Sequence, residues 1–177
     1  MKGDWNVWQT VELSKTKNSD PIFQMEEQCR LAFEASHKMC RISSDIKDRA
    51  LEGMAVALMA KSDEILAANE QDIIHARTQG FSKHLLDRLT LTPGRLKAMA
   101  ESLRVLSHLS DPIGEVLAGW SRPNGLQIQK VRVPLGVIGI IYEARPNVTS
   151  DAIGVSIKSG NSVVLSTAQK IFFEFFL

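Results

Sequence analysis

The sequence predicts an α/β protein in which an N-terminal helical layer is followed by a β-ribbon and then by a parallel βαβ unit. Three observations support this fold class: apolar residues at helical spacing before residue 110, an Asn124-Gly125 turn between two extended stretches, and two short apolar runs separated by a helix-length segment. Two strands joined by a helix within about 30 residues are typical of a right-handed crossover, so we expect them to be parallel.

The composition argues against several classes of function. The chain has 177 residues, of which 44% are hydrophobic and 23% charged, as in ordinary soluble domains. Its 21 basic and 20 acidic residues argue against nucleic-acid binding and give no polybasic membrane signal. Cys29 and Cys40 cannot form a disulfide framework, and the four histidines show no metal-ligand spacing. With no signal-peptide or membrane-length apolar run, we expect a cytoplasmic protein without metal.

Two helical stretches open the predicted layer. The first begins at Pro21 and reaches about Lys38, and its predicted apolar face consists of Phe23, Cys29, Ala32, Phe33 and Ala35. The second follows Ser43 or Ser44, either of which can cap a helix, and its predicted face consists of Ile46, Ala50, Met54 and Leu58. The polar residues 1–20 before them have no periodicity and are predicted to be a disordered extension.

Two more helical stretches complete the layer. The first of them begins with Ser62 as its cap and stops at Gly80, and its predicted inner side consists of Ile65, Leu66, Asn69, Ile73 and Ala76. The second begins at Thr92-Pro93, where threonine caps and proline occupies the first turn, and its predicted face consists of Leu96, Met99, Ala100, Leu103 and Leu106.

A β-ribbon is predicted around the Asn124-Gly125 turn. From Leu126 the chain reads L-Q-I-Q-K-V-R-V, with apolar residues at 126 and 128 and then at 131 and 133. The alternation slips by one residue near Gln129, which predicts a bulge or a bend there. One face of the ribbon is polar, so we expect it to be half exposed.

Two apolar runs, 135–142 and 162–165, read as strands buried on both faces. Between them lie the polar elbow 143–147 and a predicted helix with residues 149–151 at its start and Gly160 at its end. Ligands of parallel sheets bind at the carboxyl ends of the strands, and a helix N-terminus favours anions. The G-x-G-x-x-G fingerprint is absent, and the residues alone leave open a plain connection in which Arg145 makes a surface ion pair and Asn147 caps the helix.

The run V-R-V-P-L-G-V-I-G-I-I-Y-E-A-R-P-N-V-T, residues 131–149, resembles the gamma-glutamyl phosphate reductase (glutamate-5-semialdehyde dehydrogenase) family of the aldehyde dehydrogenase superfamily. Further segments fit the N-terminal half of that family, and together the similarity covers residues 25–165. These segments are residues 65–72, 85–93, 111–117, 122–126 and 157–165.

The resemblance implies an oxidoreductase of proline biosynthesis that reduces gamma-glutamyl phosphate to glutamate 5-semialdehyde with NADPH, by way of a cysteine thioester. It implies that Asn147 donates a hydrogen bond to the oxyanion, that Glu143, Ala144 and Pro146 lie at the cofactor, and that Arg145 binds a substrate phosphate or carboxylate. It further implies a homo-oligomer, a partial cofactor-binding domain over residues 21–165, and a ribbon, 117–134, of the type used in subunit contacts.

The sequence departs from the family in two ways. The family chain is more than twice as long and carries its nucleophilic cysteine in the missing half, whereas Cys29 and Cys40 do not match it and read as small buried hydrophobes. The resemblance stops at Leu165, and the phenylalanine-rich tail 166–177 is typical of a frame change or a truncated reading frame. We therefore expect this chain to be inactive alone.

The alternative is a non-catalytic remnant that associates with full-length subunits through residues 126–133.

Overall fold

The computed structural model describes residues 21–143 and 145–167, which form six helices and four strands. The α/β fold class is confirmed. The extension 1–20, Ala144 and tail residues 168–177 lie outside the described residues. In chain order the elements are α1 Pro21–Met39, α2 Ser44–Ala60, α3 Ser62–Thr78, α4 Lys83–Leu89, α5 Pro93–His108, β1 Val116–Ser121, β2 Gln127–Val131, β3 Val137–Tyr142, α6 Pro146–Lys158 and β4 Ser162–Thr167.

Most helix ends follow the predicted signals, and the exceptions are the starts of α3, α4 and α6. Thr92 caps α5 by accepting a hydrogen bond from the Arg95 N–H at 3.1 Å. Gly80 and Gly160 follow α3 and α6 with positive φ angles of 75° and 68°, which a glycine adopts without strain. Ser62 is the first residue of α3 and not its cap, and the short helix α4, which begins after a capping Ser82, was not predicted.

The main core lies where α2, α5 and α6 pack together. Its buried residues are Leu51, Ala55, Leu58, Ile65, Leu96, Met99, Ala100, Leu103 and Ile157. The predicted face of α5 is confirmed, because four of its five residues are buried and Leu106 packs against them. The predicted inner side of α3 is also confirmed, with all but the half-buried Leu66 buried.

The predicted face of α1 is wrong, and that of α2 is only partly right, with Leu58 buried and Met54 packed against the core. In α1 only Ala32 of the five predicted residues is buried, and Phe33 is 59% exposed. In α2 the buried residues are Lys47, Leu51, Ala55 and Leu58. A four-residue repeat drifts about 40° per step on a helix of 3.6 residues per turn, so Ile46 and Leu58 cannot share one face. Lys47 lies in the core instead. Because lysine is charged, a pattern based on apolar residues does not include it in the buried face.

Both cysteines are exposed, so their predicted burial is wrong as well. Cys29 lies on the outward side of α1, and the Cys40 thiol donates to the His37 carbonyl oxygen at 3.3 Å. Their positions follow from α1, whose described contacts are mainly with β4 and β3 and leave most of its surface open.

The β-ribbon is confirmed as an antiparallel pair of β1 and β2, closed by a turn in which Gly125 has a φ of 85°. Its irregularity lies between Val116 and Ala118 on β1, not near Gln129 as predicted. Apart from the half-buried Ile128, the residues of both strands are exposed, so the ribbon is more open than expected. The reason is that no other described helix or strand packs over either face.

Strands β3 and β4 are parallel, as predicted, with register from Val137↔Ser162 to Tyr142↔Thr167. Their predicted burial on both faces is wrong: Ile141 is 79% exposed, and the β4 valines are half buried. Helices α1 and α6 pack against this pair, but no further strand flanks it in the described part of the chain.

Two buried lysines connect α2, the segment after α5, and α6. Lys47 of α2 donates to the Asp111 carboxylate at 2.7 Å, with only 3% and 12% of the two side chains exposed. Lys158, in the last turn of α6, donates to Asp48 and to the Ser107 carbonyl oxygen at 3.1 Å. A buried charge is tolerated only when it is paired and hydrogen-bonded, so these contacts fix α6 against the helical layer.

Asp111→Asn is expected to lower the free energy of unfolding by about 3 kcal/mol, because it leaves the Lys47 ammonium buried without a counter-charge. Asp45→Asn is the control, since the Asp45–Arg49 pair is mostly exposed and is expected to contribute about 0.5 kcal/mol or less. Urea unfolding of both variants, followed by circular dichroism, measures the difference. Equal losses in the two variants would contradict a stabilising buried pair.

The same pair predicts a pH dependence. Burial raises the pKa of Asp111, but hydrogen bonds from Lys47, the Ile113 N–H and Ser44 together outweigh it and hold that pKa below the usual 3.8. Because the folded-state pKa is lowered, the stabilisation is present above the unfolded-state pKa and is lost as pH falls through the folded-state value. The difference between wild type and Asp111→Asn should therefore shrink below about pH 3.8.

Gly154→Ala is expected to destabilise the fold by about 1–3 kcal/mol, because the new Cβ would lie 2.8 Å from Leu103 Cδ2 and 2.9 Å from Leu106 Cδ1 in the α5–α6 contact. Gly53→Ala is the matched control. Gly53 is an exposed glycine of α2 with no atom near its Cβ position, and alanine there should stabilise by about 0.5–1 kcal/mol. Two variants that shift stability in the same direction would show that α5 and α6 tolerate a wider separation.

Candidate functional site

The elbow between β3 and α6 differs from the predicted one in where the helix begins. Arg145 is the residue before the helix, in an extended conformation, and Pro146 is the first helical residue, three positions before the predicted start. Proline suits that position because it lacks the N–H that the first turn would leave unpaired. Asn147 therefore lies inside the first turn and does not cap the helix.

Hydrogen bonds hold the elbow against both elements. The hydroxyls of Tyr142, at the end of β3, and Thr149, in the first turns of α6, lie 2.6 Å apart. The fully buried Ser150 donates to the Asn147 carbonyl oxygen at 2.9 Å. Pro146 is also fully buried, whereas Arg145 and Asn147 are exposed. The buried Pro146 and Ser150 thus hold the elbow in place, and the side chains of Arg145 and Asn147 are exposed on it.

Arg145, Pro146 and Asn147 line a cleft of about 540 Å³. Its other walls come from α4, the α4–α5 connection and α5, and its charged lining residues include Asp87, Arg88, Arg95 and Asp151. Among the predicted site residues, Glu143 lies outside this lining and forms an ion pair with Arg88 at 3.5 Å. Ala144 lies outside the described residues.

The wall opposite the elbow is braced by a buried amide of α3. Asn69 donates to the Leu89 carbonyl oxygen at 2.9 Å and accepts from the Leu91 N–H at 2.7 Å. Leu89 is the last residue of α4, and Leu91 lies in the α4–α5 connection that lines the cleft, so this side chain helps to hold that wall in place. Its position on the inner side of α3 was predicted, but its partners were not.

Most of the charges in the cleft are paired. Arg95 donates to the Asp87 and Thr90 carbonyl oxygens and lies 3.3 Å from the Asp87 carboxylate. Arg88 pairs with Glu143. In the described part of the chain, Arg145 and Asp151 have no ion-pair partner, which leaves one cation and one carboxylate available to a ligand.

Asp151 lies one helical turn after Asn147 and is half buried. Burial raises its pKa above the usual 3.8, and a hydrogen bond with the Asn147 side chain opposes that rise. From the sequence, Asp151 was predicted only to lie at the start of a helix. Its spacing of four residues from Asn147 was a signal that could have identified it, whereas Asp87, Arg88 and Arg95 come from distant segments and carried none.

Residues 21–143 and 145–167 contain neither a metal-binding cluster nor a membrane-spanning helix. No group of three or more histidine, cysteine, aspartate or glutamate side chains is arranged to hold a metal ion. No described helix combines the length and the apolar character needed to cross a membrane.

The site combines an amide donor, a guanidinium that has no ion-pair partner among the described residues, and a helix N-terminus beside one cleft. Each of these groups favours negative charge on a ligand, and a helix N-terminus adds the equivalent of about half a positive charge. The arrangement suits an anion or a carbonyl oxygen on which charge develops during reaction.

The chain is similar to known proteins over most of its length. It is 58% identical over 134 residues to gamma-glutamyl phosphate reductase of Heliobacterium modesticaldum, covering 76% of this chain and 32% of that protein. It is 53% identical over 142 residues to the enzyme of that name from Halothermothrix orenii, covering 80% and 34%. The chain thus spans about a third of the length of the curated relatives it matches. No protein-family model matches it.

Solved structures show the same similarity. The crystal structure of gamma-glutamyl phosphate reductase from Thermotoga maritima matches with a TM-score of 0.78 at 38% identity, covering 81% of this chain and 34% of that one. The protein of the same name from Saccharomyces cerevisiae matches with a TM-score of 0.77 at 30% identity, covering 81% and 36%. The order of the helices, ribbon and parallel pair is therefore one found in solved proteins.

Proposed function

We propose that this chain, which over its matched length belongs with the N-terminal part of the gamma-glutamyl phosphate reductase family, provides the oxyanion-binding elbow of an enzyme that reduces gamma-glutamyl phosphate to glutamate 5-semialdehyde. The reaction would serve proline biosynthesis in the cytoplasm. The observation that carries the proposal is the exposed Asn147 amide in the first turn of α6, facing a cleft beside Arg145.

Asn147 would stabilise the charge that develops when a nucleophile attacks the acyl carbon. Its amide is exposed, its backbone is held by Ser150, and the positive end of α6 lies beside it. A donor fixed before the reaction needs no reorganisation when the charge appears, and loss of one such donor costs about 10²–10³ in kcat.

Arg145 would bind the phosphate of the substrate or another of its anionic groups. A guanidinium can donate two parallel hydrogen bonds to a phosphate or carboxylate. Arg145 suits this role because it is exposed, lines the cleft and has no ion-pair partner in the described residues. Arg88 and Arg95, in contrast, already have carboxylate partners.

The proposed cofactor is NADP, held at its nicotinamide end by Glu143, Ala144 and Pro146. Glu143 suits such a contact because its side chain is 65% exposed in spite of its ion pair, and Pro146 fixes the start of α6 close to it. When bound, the cofactor supplies the hydride that the reduction requires. The chain's own contribution is to orient the acyl group and to hold its oxygen.

The nucleophile is proposed to lie outside this chain. Cys29 and Cys40 are exposed on or just after α1, and neither lines the cleft at the elbow. The relatives are about three times as long as the matched segment, which leaves room for a catalytic cysteine in the part that the chain does not span.

The first test joins residues 25–165 of this chain to the remaining part of the Heliobacterium modesticaldum enzyme. The chimera is expected to reduce NADP with glutamate 5-semialdehyde and phosphate, which is the reaction run in reverse. Asn147→Ala should lower kcat by about 10²–10³, whereas Asn124→Ala, in the exposed ribbon turn, should leave kcat unchanged. Equal effects of the two substitutions would contradict an oxyanion role for Asn147.

The second test uses the 177-residue chain alone. Purified chain is expected to give no more turnover than a Cys29→Ala/Cys40→Ala variant in the same assay. Turnover that disappears in the double variant would show that the chain carries its own nucleophile, against this proposal.

A second candidate function is a non-catalytic chain that associates with full-length subunits of a homo-oligomer. It is favoured by the exposed apolar side chains of the ribbon and the segment that follows it, which include Trp120, Leu126, Val131 and Val133. Co-purification of the inactive chain with the intact Heliobacterium enzyme would favour this function, and separation of the two would leave it without support.

A further inference from the structure

The cleft contains a carboxylate that the proposed chemistry does not use. Asp151 is half buried and lines the cleft, where it accepts a hydrogen bond from the Asn147 side chain but has no cationic partner among the described residues, although three arginines line the same cleft. Asp87, the other aspartate of the lining, is already held by Arg95. A partly desolvated carboxylate without a counter-ion is unfavourable, and a cationic group on a ligand would relieve that cost.

The position of Asp151 sets where such a cation would lie. It is four residues after Asn147 on α6, and side chains at that spacing are neighbours with Cβ atoms about 5–6 Å apart. In a gamma-glutamyl group the α-nitrogen is four bonds from the reacting carbonyl carbon, which is about 5 Å when the chain is extended. A substrate with its carbonyl oxygen at Asn147 can therefore place its ammonium group beside Asp151.

We propose that Asp151 binds the α-ammonium group of the gamma-glutamyl substrate and so selects an amino acid over a plain dicarboxylic acid derivative. This inference rests on the proposed function, because it takes the acyl carbonyl to lie at Asn147. Asp151 is then a specificity-determining residue, and Arg145, which has no ion-pair partner in the described residues, suits an anionic group of the same ligand.

The test compares two substrates of the chimera: glutamate 5-semialdehyde and 5-oxopentanoate, which is the same aldehyde without the amino group. Asp151→Asn is expected to lower kcat/KM about 10- to 100-fold for the amino substrate, the loss typical of a hydrogen bond to a charged group, and to leave kcat/KM for 5-oxopentanoate unchanged. Asp63→Asn, in the exposed first turn of α3, is the control and should change neither value.

Equal losses with both substrates would overturn the proposal, because they would mean that Asp151 acts only by orienting the Asn147 amide. No loss with either substrate would also overturn it.

A binding measurement separates this proposal from the proposed function. Glutamate γ-methyl ester and glutarate monomethyl ester differ only in the amino group, and both are titrated calorimetrically into the full 177-residue chain. If the chimera oxidises neither aldehyde, the proposed function fails. The Asp151 proposal still stands if the wild-type chain binds the amino ester at least about tenfold more tightly than Asp151→Asn does. It is overturned if the two chains bind that ester equally.

Discussion

The two buried lysine contacts, Lys47 with Asp111 and Lys158 with Asp48, are the constraint on which the rest of the described structure depends. They join α2, the segment after α5 and the C-terminal end of α6. α6 is 13 residues long, about 20 Å, so fixing its last turn against the core also directs its first turn toward the cleft. Gly154, midway along α6, lets α5 approach closely enough to form the opposite wall.

This arrangement separates the residues that position the site from those that face a ligand. Ser150, Pro146 and Asn69 are buried, and they hold the elbow and the wall opposite it. Arg145 and Asn147 are exposed on that support. The helical side of the described chain is thus well packed, whereas the ribbon and the Ile141 face of the parallel pair are open. The matched relatives are about three times as long as the matched segment and have further chain available to cover such surfaces.

Local signals predicted α5, the inner side of α3, the Asn124-Gly125 turn and the parallel pair, because capping residues, glycine turns and short apolar runs act over a few neighbouring positions. The face of α1 and part of that of α2 were mispredicted for another reason. Burial there depends on which elements pack nearby, and in α2 a charged lysine occupies a core position that becomes favourable only with Asp111, far away in the sequence.

The candidate site was predictable only in part, because only some of its residues belong to one local motif. The elbow motif identified Arg145 and Asn147, and the structure brings both to one cleft. Asp87, Arg88 and Arg95 reach that cleft only through the packing of α4 and α5, which no local pattern encodes. The start of α6 at Pro146 places Asn147 in the first turn and not at the cap, and there its side chain is exposed and hydrogen-bonds to Asp151.

The most direct measurement is a crystal structure of the chimera with gamma-glutamyl hydroxamate, an unreactive analogue in which a hydroxamate replaces the acyl phosphate. The hydroxamate carbonyl oxygen is expected to accept a hydrogen bond from the Asn147 side chain, and the α-ammonium group is expected to lie against Asp151. An analogue bound in the cleft with its carbonyl oxygen away from Asn147 would contradict the oxyanion role of Asn147.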